Sequence, residues 1–102
     1  LAFRVPVATG SVTDFVCEIE KNATKEEINK VFKEESNKLK GIMEFSIEPL
    51  VSADIITDSN SSIFDSELTN VIEGNFVKVI AWYDNEWGFS ERMVDVIKLI
   101  GK

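Results

Sequence analysis

Histidine is absent from this sequence of 102 residues. The commonest general base and metal ligand of proteins is therefore missing, and any acid–base chemistry would have to use other groups. Cysteine occurs only once, as Cys17, so no internal disulfide can form and no cluster of sulfur ligands exists. We therefore predict that the chain holds no metal.

Positive charge and long apolar runs are also scarce. Eleven Lys and Arg residues stand against 18 Asp and Glu, a formal net charge of −7, and the basic residues are scattered along the chain. Such a chain lacks the basic patch that binds nucleic acid. No apolar run approaches the roughly 20 residues that span a bilayer, and no basic-then-apolar leader opens the sequence. We therefore expect a cytoplasmic protein that binds neither nucleic acid nor a membrane.

What is present is the composition of one globular domain, with 44% hydrophobic and 28% charged residues. The sequence opens with "LAFRVP", without an initiator methionine and already in an apolar pattern typical of a strand. Pro6 and Gly10 interrupt that pattern, which predicts two extended pieces joined by a bend. We expect the chain to be a piece of a longer protein.

Alternation of apolar and polar residues predicts most of the strands. In "SVTDFVCEIE" the alternation predicts a half-buried strand. Its buried face would hold Thr13, Phe15, Cys17 and Ile19. The stretch "IMEFSIEPLVSADI" predicts a short strand, an interruption at Pro49 and another extended piece. Further extended segments are predicted around Ile63, over 68–72 and over 76–83, with a tight hairpin turn at 73–75.

Two helices complete the predicted fold. Thr24 followed by Glu27 forms a capping-box pattern, which predicts a helix from about residue 25 to 39 with Gly41 as its stop. From Trp87 to about Ile100, apolar residues recur at helical spacing and predict a final amphipathic helix. This order of elements predicts an α+β fold, with a mixed, largely antiparallel sheet and two helices on one face.

Two apparent motifs are better explained as ordinary structure. Cys17 lies mid-strand beside Glu18 with no base to activate its thiol, so we predict a buried core cysteine rather than a nucleophile. The loop "DSNSSIFDS" begins like an acidic calcium loop. Ile63 stands where that loop requires glycine and Thr69 where it requires the closing glutamate, so we predict a solvated turn.

Two polar residues leave a choice open. Arg4 interrupts an apolar run, and its guanidinium fork suits either an ion pair or an anion-binding site. Asn85 lies in "AWYDNEWGFSERM", where the predicted strand gives way to the final helix. Its amide can cap the helix, or it can both donate to and accept from a bound ligand.

Four stretches taken together resemble a known family: "FRVPVATGSVTDFV", "EPLVSADI", "SSIFD" and "VKVIAWYDNEWGFSERMVDVIKLI". In this order they are similar to the C-terminal part of the catalytic domain of phosphorylating glyceraldehyde-3-phosphate dehydrogenases. The resemblance covers residues 1–102. It implies an NAD-dependent, homotetrameric glycolytic oxidoreductase that converts glyceraldehyde 3-phosphate and inorganic phosphate to 1,3-bisphosphoglycerate. It also implies that the final helix packs against a nucleotide-binding part absent from this chain.

The resemblance assigns roles to three residues. It implies that Arg4 binds the substrate phosphate and the attacking phosphate, and that Asn85 hydrogen-bonds the nicotinamide carboxamide of NAD. It further implies that Tyr83 lines the catalytic pocket. No catalytic residue is implied in this chain, because the family's nucleophile segment, histidine base and Gly-rich nucleotide fold are missing from it. The chain alone is therefore expected to be inactive.

The chain departs from the family at a few positions and leaves alternatives open. Phe45 and Phe89 stand where the family often has tyrosine, and Glu91 where asparagine is common. Erythrose-4-phosphate dehydrogenases share the "DNEWG" segment, usually after cysteine, so Tyr83 favours the glyceraldehyde enzyme. A non-catalytic structural or oligomerisation role is the other alternative.

Overall fold

The mostly apolar run that ends at Tyr83 forms the central strand of a five-stranded sheet. A computed structural model of the chain describes residues 2–102. The strands are β1 (Ser11–Glu18), β2 (Met43–Ser46), β3 (Ser62–Asp65), β4 (Asn70–Ile72) and β5 (Phe76–Tyr83). The helices are α1 (Lys25–Lys38), α2 (Ser52–Ile55) and α3 (Trp87–Ile100).

The sheet follows the order β1-β5-β3-β2, and β4 pairs with β5 beyond the end of β3. Only the β2–β3 pair is parallel. β1 pairs with β5 along its whole length, from Ser11 opposite Tyr83 to Glu18 opposite Phe76. The predicted α+β class, with a mixed, largely antiparallel sheet and two long helices, is confirmed.

Helix α1 begins where its local signal predicts. The Thr24 hydroxyl accepts from the Glu27 N–H at 3.2 Å, and the Glu27 carboxylate accepts from the Thr24 N–H at 2.8 Å. Across one face of the sheet, Phe32 of α1 stacks on Phe64 of β3 with ring centroids 4.0 Å apart. Phe45 of β2 stacks on the same ring at 5.6 Å. These three rings fix α1 over the β2–β3 side of the sheet.

The core is small for a chain of this length. Its buried apolar side chains are Ile55, Ile63, Phe64, Val77 and Ile80. The predicted alternation of β1 is correct, but the face expected to be buried is largely open. Phe15 is 55% exposed, and Cys17 is half-buried rather than in the core as predicted. Burial needs a covering element, and α1 packs over the β2–β3 part of the same face, so that the β1 part stays open.

Residues 2–10 bend at Pro6 as predicted, but they form no strand, because no strand of the described chain pairs with them; Leu1, the first residue of that segment, lies outside the described residues. Two local predictions were wrong. The extended piece predicted after Pro49 is instead the short helix α2, whose Asp54 carboxylate accepts from the Val51 N–H at 2.9 Å. Leu68 ends a 3₁₀ turn rather than starting a strand.

The hairpin predicted between β4 and β5 is present. Ile72 pairs with Phe76, and the residues between them turn with φ of 53° at Glu73 and 82° at Gly74. Glycine adopts such left-handed values at no steric cost, which explains its place in this turn.

Candidate functional site

The polar cluster between β5 and α3, residues 84–86, forms a junction in which one carboxylate takes the capping role. The Asp84 carboxylate is buried, with only 3% of the residue exposed. Its Oδ1 accepts from the backbone N–H groups of Glu86 and Trp87, both at 2.9 Å. These donors belong to the start of α3, where backbone N–H groups have no partner inside the helix. Asp84 therefore caps α3.

The same carboxylate joins two distant segments to the junction. Its Oδ2 accepts from the Thr57 N–H at 2.8 Å, and its Oδ1 accepts from the Thr9 hydroxyl at 3.2 Å. The Trp87 N–H is the largest influence that lowers the pKa of Asp84 below its usual value, and the other donors add to it. Burial acts in the opposite direction but is outweighed. The carboxylate is thus held in its ionised form.

The Asn85 side chain does not cap α3. Its Oδ1 accepts from the Gly10 N–H at 3.0 Å and lies 3.3 Å from the Thr9 hydroxyl. A backbone N–H can only donate, so this bond fixes Oδ1 toward Gly10 and turns the amide nitrogen away from it. Within residues 2–102 that nitrogen, Nδ2, donates to no protein acceptor. The exposed side chain therefore presents an oriented and unused donor.

A pocket of about 270 Å³ opens beside this amide. We call it the junction pocket. It is lined by Ser61, Tyr83, Asp84, Asn85, Gly88, Phe89 and Arg92. Tyr83 and Asn85, both predicted from the sequence to be site residues, lie on its wall together. The lining combines aromatic surface with a few polar groups, as small-molecule sites do.

Contacts of two residues, Arg92 and Gly88, hold α3 against the turn before β2 and the loop before β3, and so define the pocket wall. Arg92 donates from Nη1 to the Gly41 carbonyl at 2.9 Å and to the Ser61 hydroxyl at 3.2 Å. A Cβ atom on Gly88 would lie 2.8 Å from the carbonyl oxygen of Asn60, closer than real Cβ contacts. Glycine at position 88 is therefore needed for this close approach.

Arg4 is not brought to the junction pocket. It lies exposed in the segment 2–10, outside the pocket lining. Among the ion pairs of residues 2–102, none involves Arg4. The ion-pair alternative therefore finds no partner in the described chain, and the guanidinium is open to solvent.

A second concavity, of about 610 Å³, lies between α1 and the open face of β1 and β5; we call it the sheet groove. Phe15, Cys17, Val31 and Val79 contribute to its mostly apolar lining. In the part of the chain that the structure describes, no three His, Cys, Asp or Glu side chains are placed to hold a metal ion. None of its helices is both long and apolar enough to cross a membrane.

The sequence singled out Asn85 and Tyr83 but missed the residues that orient them. Thr9 and Gly10 reach the junction because β1 and β5 pair in antiparallel register, with Ser11 opposite Tyr83. Two residues before Ser11 therefore face the two residues after Tyr83. Given that pairing, Thr9 and Gly10 could have been predicted to lie beside Asn85, whereas nothing in the sequence pointed to Thr57.

Comparison with known proteins gives consistent matches over nearly the whole chain. A family model described as "Glyceraldehyde 3-phosphate dehydrogenase, C-terminal domain" matches residues 1–85. Curated relatives named glyceraldehyde-3-phosphate dehydrogenase are 55% identical in Mycobacterium avium and 52% in Mycobacterium tuberculosis H37Rv. A relative named "Glyceraldehyde-3-phosphate dehydrogenase 2" in Streptomyces avermitilis is 46% identical. Each match covers 99% of this chain but 30% of the relative, so the chain spans under a third of their length.

Proposed function

Because the chain belongs to the glyceraldehyde 3-phosphate dehydrogenase C-terminal domain family, we propose that residues 1–102 are the C-terminal part of a dehydrogenase catalytic domain. The reaction of the whole enzyme is the NAD-dependent conversion of glyceraldehyde 3-phosphate and inorganic phosphate to 1,3-bisphosphoglycerate. The names of relatives 46% to 55% identical support a glycolytic oxidoreductase. The enzyme would act in the cytoplasm as a homotetramer.

In this proposal the chain supplies binding groups and no catalytic residue. It contains no histidine, and the pocket beside Asn85 does not include its one thiol, Cys17. The thiolate nucleophile and the general base would come from the remaining part of the enzyme, which also provides the nucleotide-binding fold. Cys17 instead lines the mostly apolar sheet groove.

The observation that carries the proposal is the orientation of the Asn85 amide. Asp84 accepts the α3 capping bonds, and the Gly10 N–H fixes the Asn85 oxygen, so Nδ2 remains available at the junction pocket. A neutral carboxamide such as that of nicotinamide can accept one hydrogen bond from this donor. Holding the ring in this way would set which ring face meets the substrate.

Arg4 and Tyr83 would complete the contribution of this chain. An exposed guanidinium without an ion pair in residues 2–102 is free to bind a phosphate dianion by two parallel hydrogen bonds. Tyr83, at the end of β5, would line the pocket that receives the substrate. Its presence at this position favours glyceraldehyde 3-phosphate over erythrose 4-phosphate.

The open apolar surfaces support a second candidate role, assembly. The sheet groove and the apolar side chains of α3 are uncovered in this chain. Surfaces of this kind normally contact a partner. A purely structural or oligomerisation function would leave the Asn85 donor without a use, so we place it second.

A chimera tests the proposed function. These 102 residues would replace the matching 30% of the Mycobacterium avium relative, and NADH formation would be followed with glyceraldehyde 3-phosphate and phosphate. We expect activity in the chimera, a much lower rate with erythrose 4-phosphate, and none from the 102-residue chain alone. A folded chimera that binds NAD but forms no NADH, or NADH formation that follows the isolated chain through purification, would contradict the proposal.

A further inference from the structure

Asp84 is a buried anion that no cation of the described chain neutralises. None of the ion pairs among residues 2–102 includes it. Its charge is balanced instead by three backbone N–H groups, those of Thr57, Glu86 and Trp87, and by the Thr9 hydroxyl. Two of these N–H groups lie at the N-terminal end of the 14-residue helix α3, where the helix dipole favours negative charge.

We propose that Asp84 is a positioning residue for Asn85: it fixes the Thr9–Gly10 segment, the Thr57 loop and the first turn of α3 at one point, and thereby sets the direction of the Asn85 amide. The role of Asp84 in geometry stands without the proposed function. Its consequence for cofactor binding rests on that function.

Thr57 lies in the chain segment that contacts the Oδ2 side of the Asp84 carboxylate. Thr57 has a φ of 66°, a left-handed value that is unfavourable for a β-branched residue. Its N–H donates to Asp84 Oδ2 at 2.8 Å, the shortest of the four bonds to this carboxylate. A strained residue persists only where its surroundings hold it, and here Asp84 provides a charged acceptor.

The Thr9–Gly10 segment connects Asp84 to the Asn85 amide. The Thr9 hydroxyl lies within hydrogen-bond distance of both Asp84 Oδ1, at 3.2 Å, and Asn85 Oδ1, at 3.3 Å. The next residue, Gly10, gives its N–H to Asn85 Oδ1 at 3.0 Å. The Asn85 oxygen therefore faces a segment whose position depends on Asp84, and loosening that segment frees the amide to rotate.

Hydrogen exchange at the Gly10 N–H tests this geometry in the chain itself. Asp84→Asn keeps one acceptor oxygen and replaces the other by a donor, so either the Thr57 N–H or the helix N–H groups lose their acceptor. We expect exchange at Gly10 and Thr57 to accelerate about fivefold or more relative to the β1–β5 amides, since one net hydrogen bond is worth about that factor. If Asp84 is only a helix cap, Trp87 accelerates and Gly10 keeps its wild-type rate, which would overturn the proposal.

Asp65→Asn is the matched control. Asp65 is another buried carboxylate, 1% exposed, which accepts from Trp82 Nε1 at 3.0 Å and from the Glu67 N–H at 3.2 Å and shares no hydrogen bond with Asn85. We expect it to leave the ratio of Gly10 to β1–β5 exchange unchanged. If Asp84→Asn does not fold, Thr9→Val carries the test: it removes the hydroxyl that joins the two side chains, and a wild-type exchange rate at Gly10 would then reject the proposal.

A double-mutant cycle in the chimera tests the functional consequence separately. If Asp84 acts through Asn85, Asp84→Asn weakens NAD binding in the wild-type background but not in the Asn85→Ala background. Equal losses in both backgrounds would refute positioning through Asn85. If Asn85→Ala alone leaves NAD binding unchanged, the proposed function of Asn85 fails, while the exchange experiment still decides the geometry.

Discussion

At the scale of the single residue, the charge of Asp84 governs the junction. The ionised carboxylate accepts from three backbone N–H groups, of which the Trp87 N–H does most to lower its pKa below the usual 3.8. Ionisation of Asp84 therefore stabilises the folded state. That contribution is complete above the unfolded-state pKa and is lost as the pH falls through the lower folded-state pKa.

Glu44 titrates in the opposite sense. Burial, followed by the nearby charge of Asp58, raises the pKa of Glu44 above its usual 4.5. Its ionised form therefore weakens the fold, and this penalty disappears as the pH falls below its raised pKa. An acid titration of the wild type alone would mix the two effects, so the Asp84 contribution must be measured as a difference.

We predict that the difference in unfolding free energy between wild type and Asp84→Asn depends on pH. It should be about 1.5–3 kcal/mol at neutral pH, the value of hydrogen bonds to a charged group. It should hold down to about pH 5 and shrink as the pH falls from the unfolded-state value of 3.8 toward the lower folded-state pKa, because the unfolded chain takes up the proton first. Denaturant titrations of both proteins from pH 7 to 2.5 provide the measurement, and a constant difference would contradict it.

At the scale of the element, helix α3 depends on one close approach. The Gly88 backbone packs against the Asn60 carbonyl, and Arg92 bonds the neighbouring loop one turn later. Both contacts lie in the first half of the helix. The second half, beyond Asp95, is exposed.

We predict that Gly88→Ala displaces the start of α3 and opens the junction pocket. Alanine normally favours a helix by about 1 kcal/mol over glycine, but here its Cβ would lie 2.8 Å from a backbone oxygen. Overpacking costs about 1–3 kcal/mol, so the sum should be destabilising. Thermal unfolding and exchange at the α3 amides measure the effect. Ser90→Ala, on the exposed side of the same turn, is the control, and a Gly88→Ala protein at least as stable as that control would refute the clash.

Local signals explain which elements could be predicted. The start of α1 follows from Thr24 and Glu27, which form its capping box. The hairpin follows from Gly74, and β5 from its own run of strand-forming apolar residues. Helix α2 was wrongly predicted as an extended piece, although its signal is local: the Asp54 carboxylate accepts from the Val51 N–H. The segment 2–10 forms no strand because no strand of the described chain pairs with it.

The candidate site could likewise be predicted only in part. Asn85 and Tyr83 were identified through a family resemblance to the whole "WYDNEWG" stretch. The question whether Asn85 caps the helix could not be answered from spacing, since Asp84 stands beside it and has the same capping ability. Only the hydrogen bonds assign the cap to Asp84 and leave the Asn85 amide free.

At the scale of the whole molecule, the chain lacks the cover that its apolar surfaces need. Its radius of gyration is 15.0 Å, compared with about 13 Å for a compact domain of 100 residues. On α3, Phe89, Ile97 and Ile100 are 66%, 65% and 77% exposed. These surfaces agree with the proposal that α3 packs against the nucleotide-binding part and that the enzyme assembles into an oligomer.

We propose that the Asn85 amide binds the nicotinamide carboxamide, and NAD binding to the chimera tests this contact directly. Asn85→Asp keeps an oxygen for the Gly10 N–H but removes the donor, and Asn85→Ala removes both without adding charge. We expect each to raise the Kd for NAD about fivefold or more, the value of one hydrogen bond, and to slow single-turnover hydride transfer. Arg4→Ala, the control, should raise the phosphate requirement and leave the Kd for NAD unchanged. Wild-type NAD affinity and hydride-transfer rate in both Asn85 variants would contradict the account.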